Sequence, residues 1–215
     1  MGKDRRLEAL LAGVGVAAAL LYLSGFGGPP RLALKPVPVL ALAAWVSVRC
    51  REPLGRIVTV GLLLSAIGDV ILGAGHFLHG LVAFLAAHVA YVAAFVADER
   101  RLRLARLLPF AAWSALAFSL LRPGLDEMTL PVAVYVTVIT LMMWRASARV
   151  GSPTTSPLAA RLGVAGAIAF GASDTLIAFD RFLQPIAHVE LPVLLLYWLG
   201  QWGIAASAAF ASREA

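Results

Sequence analysis

This chain has little of what a water-soluble domain is built from. Only 14% of its 215 residues are charged, against 60% hydrophobic, and no stretch is long and polar enough to form a separate soluble domain. There is one cysteine, Cys50, so no internal disulfide can form and no thiolate cluster is available for a metal. HExxH and CxxC are both missing. The HFLH turn offers His76 and His79 with no acidic residue between them, and His188 lies in another turn, so no metal site is expected. There is no phosphate-cradling P-loop, no GxSxG elbow and no dinucleotide-binding glycine fingerprint. Alternating strands of about ten residues are also lacking, which excludes a membrane β-barrel.

What the chain does have is apolar length. Nearly all of it divides into stretches of about 17 to 24 residues, the length that crosses roughly 30 Å of hydrocarbon. The spans fall at about 7–24, 32–48, 57–74, 78–97, 104–121, 130–148, 158–180 and 188–211. The expected fold class is therefore all-α: a polytopic bundle of eight transmembrane helices forming a single integral membrane domain over 1–215. The first span follows KDRR as a signal peptide would. Its apolar run is longer than a signal core and SGFGGPP is a poor cleavage site, so it is expected to be retained.

Charge orients the spans. With the N-terminus cytoplasmic, Lys3, Arg5, Arg6, Arg49, Arg51, Arg56, Arg100, Arg101, Arg103, Arg106, Arg145, Arg149, Arg161 and Arg213 fall inside. Arg31, Arg122 and Arg181 fall outside, and Lys35 lies within the second span. That asymmetry and the even number of spans place both termini in the cytoplasm. The net charge of +6 is spread over helix ends, as an anionic leaflet favours, with no basic stripe interleaved with aromatics; nucleic acid is not expected as a partner.

Against this background two acidic residues stand out. Asp69 sits in LLLSAIGDVILG and Asp174 in GAIAFGASDTLIAF. A carboxylate at membrane depth costs several kcal/mol unless something pairs with it, so each marks a candidate functional site. The segments also align, GLLLSAIGDVILGAGHF on GAIAFGASDTLIAFDRF, and each precedes a helix with a mid-span tyrosine, Tyr91 or Tyr197. This points to two four-helix halves in the same orientation, a parallel pseudo-repeat. Gly61, Ser65 and Asp69 share one helix face, and Gly163, Ala167 and Gly171 form a comparable strip leading to Asp174. Such small residues let helices approach closely, so both carboxyl groups are expected to turn inward. Each lies five or six residues from the outer end of its helix, roughly 8–9 Å below the outer hydrocarbon boundary.

Two carboxyl groups sharing a site divide their roles, one holding a proton as general acid and the other staying charged. Structural helix–helix bonding is the alternative use of Asp69 and Asp174. Lys35 has three readings: counter-ion, phosphate ligand, or an interfacial lysine snorkelling to the surface. Pro36 and Pro38 beside it disturb the helix. His88 and Tyr91 are one turn apart, as are Tyr197 and Gln201, and these polar groups either bond between helices or line a pocket.

The ordered pieces LKPVPVL, SAIGDVILG, FLHGLVAFLAAHVAYVAAF, GAIAFGASDTLIAFDRF and LLLYWLGQWGIA resemble the lysoplasmalogenase (YhhN-like) family of integral membrane hydrolases. The first, fifth and sixth spans add little to the likeness. The resemblance implies an eight-helix bundle that hydrolyses the vinyl-ether bond of a lysophospholipid, without a cofactor, at the cell membrane. Asp69 and Asp174 would be the catalytic pair and Lys35 would take the head-group phosphate. Ser173, His88, Tyr91, Tyr197 and Gln201 would orient substrate or water. The competing class is a transporter or proton-coupled carrier, which also places acidic residues near the midplane. Intramembrane aspartyl proteases pair YD with GxGD and a later PAL. Here AIGD lacks the first glycine, SD replaces YD, and LPV stands near the end.

Overall fold

The computed structural model describes residues 2–25 and 30–211. Among these residues every regular element is helical: α1 (Gly2–Leu23), α2 (Pro30–Leu34), α3 (Val37–Arg49), α4 (Pro53–Gly73), α5 (Phe77–Asp98), α6 (Leu108–Leu121), α7 (Thr129–Ala148), α8 (Pro157–Phe182) and α9 (Glu190–Ala209). Eight spans among them are long and apolar enough to cross a membrane: Arg5–Leu23, Leu32–Arg49, Pro53–Gly73, Phe77–Asp98, Leu104–Gly124, Asp126–Ala148, Pro157–Phe182 and Glu190–Ala209. The chain is a multi-pass membrane protein. Arg213 lies outside the described residues, as do the SGFGGPP residues at 26–29 and the side chains of Lys3 and Arg31.

Proline sets several of the boundaries. Pro53 and Pro157 sit at the first helical positions of α4 and α8, where a missing N–H is no loss. Ser156 caps α8, accepting from the Ala159 amide at 3.2 Å. Pro38 lies likewise in the first turn of α3, whereas Pro36 stands just before it. The second span breaks at a Lys35–Pro36 turn between α2 and α3, because a proline cannot donate to the preceding helical turn.

The chain divides into two compact units, Met1–Ala94 and Phe95–Ala215. In the first, α3 packs on both α1 and α4. Leu10, Val16 and Leu20 on α1 are each about 60% exposed, the faces a bilayer would cover. In the second unit α7 packs on α8, and α8 and α9 make the most extensive contact. The reason is glycine. A Cβ added at Gly166 would stand 2.7 Å from the Gly200 carbonyl oxygen and the Ile204 amide. One added at Gly203 would stand 2.7 Å from the Gly166 Cα. Backbone meets backbone here, which is how helices associate where lipid supplies no hydrophobic drive. The strip read from sequence is thus divided. Gly163 faces Arg149 and Ser207, Gly171 faces Met143, and Gly166 makes the closest approach.

A second departure concerns Arg145 and Arg149. Both were expected as charges flanking the membrane, yet they are 3% and 0% exposed. The Arg149 Nε donates to the Asp98 Oδ2 at 2.6 Å and Nη1 to the Ser207 hydroxyl at 3.0 Å, with the guanidinium 5.0 Å from the centre of the Phe95 ring. Burial pulls this guanidinium below its usual pKa, and Asp98 opposes the shift. Arg145 donates to the Arg101 carbonyl at 3.0 Å and to the Glu99 carbonyl. Arg103 and Arg106 likewise bond the Val150 carbonyl, each at 2.9 Å. These arginines join the segment after α5 to the loop after α7 and satisfy carbonyls that helix ends leave open.

Candidate functional site

In the first unit the Lys35 ammonium lies 3.5 Å from the Asp69 carboxylate. Lys35 stands in the turn between α2 and α3, outside regular helix. Asp69 is 2% exposed, and Lys35 keeps a modest exposed surface. Of the three readings of Lys35, the ion pair is the one observed, and it offsets the cost of placing either charge among apolar helices.

The α4 face leading to Asp69 is buried as expected, at Gly61, Ser65 and Asp69. Gly61 leaves room for the Tyr91 ring, which a Cβ there would strike. The Tyr91 hydroxyl is 3.3 Å from the Ser65 hydroxyl, so Tyr91 reaches α4 one turn from Asp69. His88 stands edge-on to Tyr91, with 6.4 Å between ring centres. Its Nδ1 is 2.7 Å from the Phe84 carbonyl oxygen, and a carbonyl can only accept, so Nδ1 carries a proton. Lys35 pairs with Asp69, and one turn away along α4 Ser65 meets Tyr91, with His88 edge-on beside it.

In the second unit Asp174 is half-buried, and its Oδ2 accepts from the Tyr135 hydroxyl at 2.7 Å. The adjacent Ser173 is 0% exposed and points the other way, donating to the Val193 carbonyl of α9 at 2.9 Å. Tyr197 packs edge-on against Phe170 at 5.4 Å, and Gln201 is fully buried one turn further along α9. Tyr135 was missed in the sequence, although the signal was there: a lone tyrosine inside TLPVAVYVTVITLMMW. Tyr91 and Tyr197 lie on the helices that follow those of Asp69 and Asp174, whereas Tyr135 is on the helix before that of Asp174. Among the described residues no group of three or more His, Cys, Asp or Glu could hold a metal ion.

Each acidic residue is therefore held by a named polar partner, an ammonium for Asp69 and a phenol for Asp174. A model of the YhhN family matches residues 30–208. The chain belongs to the YhhN family. Among curated relatives, the lysoplasmalogenase TMEM86A of Homo sapiens is 35% identical over 168 residues, covering 76% of this chain and 69% of the relative. The lysoplasmalogenase TMEM86B of Homo sapiens is 33% identical over 181 residues, covering 81% of this chain and 74% of the relative. The TMEM86A protein of Bos taurus is 35% identical over 171 residues, covering 76% and 69%. No solved structure matches. The YhhN match starts at α2, so both aspartates, Lys35 and Tyr135 fall within it while α1 lies outside.

Proposed function

We propose that this YhhN-family chain is a lysoplasmalogenase-like hydrolase of the cell membrane. Its substrate would be an alkenyl glycerophospholipid carrying ethanolamine or choline. The observation that carries the reading is the pair of intramembrane aspartates, each held by a polar partner, in a chain similar over about three quarters of its length to proteins named lysoplasmalogenases.

The chemistry asked of these groups is simple. A vinyl ether R–CH=CH–O–R′ takes a proton on the carbon bearing R and becomes an oxocarbenium ion. Water adds to the cationic carbon and gives up a proton to a carboxylate. The resulting hemiacetal collapses to the aldehyde R–CH2–CHO and the alcohol R′–OH, its hydroxyl proton passing to the leaving oxygen, so one water is consumed, and the cycle closes when the proton on the second carboxyl returns to the first. Such a path needs one carboxylic acid and one carboxylate, the division of labour used in glycoside hydrolysis. Asp69 and Asp174 take those two roles. Lys35 has three N–H donors, so its pairing with Asp69 leaves it the capacity to bind the head-group phosphate as well. His88, Tyr91, Ser173, Tyr197 and Gln201 orient substrate or water around the reacting groups.

The test is aldehyde release from a lysoplasmalogen by the purified protein, alongside Asp69→Asn and Asp174→Asn. Both variants are expected to fold and to lose turnover by at least about a hundredfold, the scale of a missing acid–base group. Full activity in both would remove the two-aspartate mechanism.

One observation favours a second reading, a carrier of a small or lipid-like solute. The second span is interrupted at Lys35–Pro36 beside a buried charge, and broken helices of this kind form transport sites. Substrate flux in proteoliposomes without aldehyde formation would establish it.

A further inference from the structure

We propose that Tyr135 is the positioning residue of Asp174: its phenol holds the carboxyl in the orientation the reaction uses, without itself touching substrate. The inference rests on the hydrolase reading above and gives a role in the reaction to a residue outside the two aspartates and the substrate-binding groups.

The geometry around Asp174 is constrained from two sides. Successive residues of an α-helix point about 100° apart, and α8 uses this offset. Ser173 is turned to α9, where it donates to the Val193 carbonyl at 2.9 Å, and Asp174 is turned to α7, where it accepts from Tyr135 at 2.7 Å. Three residues earlier, Gly171 lets α7 close in, since a Cβ there would stand 2.9 Å from the Met143 sulfur. The rotation of α8 about its own axis is thus set by one bond on each side and by a close contact below. Thr175, next in sequence, bonds back to the Gly171 carbonyl of its own helix at 2.7 Å. The Tyr135 side chain is itself anchored, 9% exposed on α7.

With Oδ2 held by the phenol, the carboxyl plane is fixed and its second oxygen has a defined direction. As the general acid, Asp174 gains negative charge when it gives up its proton. A hydrogen bond from a fixed donor strengthens as negative charge develops on its acceptor, which is the condition for lowering a barrier rather than merely binding. The phenol keeps its proton throughout, so no step of the reaction is altered in atoms or charge. Loss of the donor should therefore reduce kcat and leave KM alone.

Tyr135→Phe retains the ring and removes only the hydroxyl. Two readouts are made on the detergent-purified protein. Steady-state aldehyde release is expected to show kcat lower by roughly 10- to 100-fold, the worth of one charge-assisted hydrogen bond, with KM changed by less than about twofold. Independently of activity, dicyclohexylcarbodiimide, which reacts with intramembrane carboxylic acids, is followed by peptide mass spectrometry. Labelling of Asp174 relative to Asp69 in the same molecule is expected to change by roughly tenfold when the bond is lost.

Unchanged labelling overturns the Tyr135–Asp174 link. Changed labelling with unchanged kcat overturns the positioning role, as does a joint collapse of kcat, KM and thermal stability, which would make Tyr135 a packing residue. If the wild type releases no aldehyde, the hydrolase reading falls and takes the positioning role with it. In that case the labelling ratio still decides whether the phenol holds the carboxyl.

Discussion

Asp98→Asn provides a sharp test of the buried arginine at the end of α7. The substitution keeps the shape of the side chain and an oxygen to accept from the Arg149 Nε at 2.6 Å and from the Thr155 hydroxyl at 2.7 Å. What it removes is the counter-charge of a guanidinium that is 0% exposed. Unit charges about 4 Å apart attract by about 4 kcal/mol at the effective dielectric of ~20 suited to protein interiors. Measured losses on breaking buried pairs by removing one partner are about 3–5 kcal/mol. For a chain of this size, at about 2–4 °C per kcal/mol, that corresponds to a fall in Tm of roughly 6–20 °C. Arg149→Met should be milder, because the carboxylate it leaves behind keeps 14% of its surface exposed. The double variant buries no charge at all and should be more stable than Asp98→Asn alone. The assay is thermal unfolding in one detergent at one scan rate, because irreversible unfolding makes Tm depend on both conditions. The reasoning fails if the two single losses simply add in the double variant, since groups in contact should couple by 0.5–3 kcal/mol. It fails equally if Asp98→Asn moves Tm by less than about 2 °C.

Two further outcomes follow from the fold. Gly166→Ala is expected to destabilise by about 1–3 kcal/mol, because the new methyl group meets backbone that cannot rotate away. Gly13→Ala, where nothing lies within 4 Å of the added carbon, serves as the control; equal Tm changes in the two variants would refute the close-packed α8–α9 contact. Glu99 supplies a pH dependence. Burial raises its carboxyl pKa, but the Arg101 amide at 2.8 Å, the Ser152 hydroxyl and the charges of Arg101 and Arg103 together hold it below the usual 4.5. A depressed carboxyl contributes stability that is present in full above its unfolded pKa and is lost as pH falls through the folded value. Tm of the wild type should therefore fall below about pH 4.5, and Glu99→Gln should flatten that limb; parallel curves for the two proteins would exclude Glu99 as its source.

The division between what sequence and structure each reveal runs along one physical line. Hydropathy is a one-dimensional property, and bilayer thickness imposes a window of about twenty residues on it. The number of spans was for that reason readable directly. Asp69 and Asp174 were equally visible, since a carboxylate in an apolar run is conspicuous whatever surrounds it. The break at Lys35 was foreshadowed by Pro36 and Pro38, because proline acts locally through its missing N–H.

Rotation of each helix about its axis is a different matter, because it is chosen by what the neighbours offer. Three readings of Lys35 were compatible with its sequence, and the fold brought its ammonium to 3.5 Å from Asp69. Tyr135 became a partner of Asp174 only when α7 met α8. Arg145 and Arg149 read as membrane-flanking charges until the loops they hold folded over them. Gly166 surpassed Gly163 and Gly171 in closeness to α9 because Gly200 and Gly203 happened to face it. The chain by itself determined how many times it crosses and which charges it must shelter. The tertiary structure decided which group shelters each, because a buried charge takes its partner from another helix.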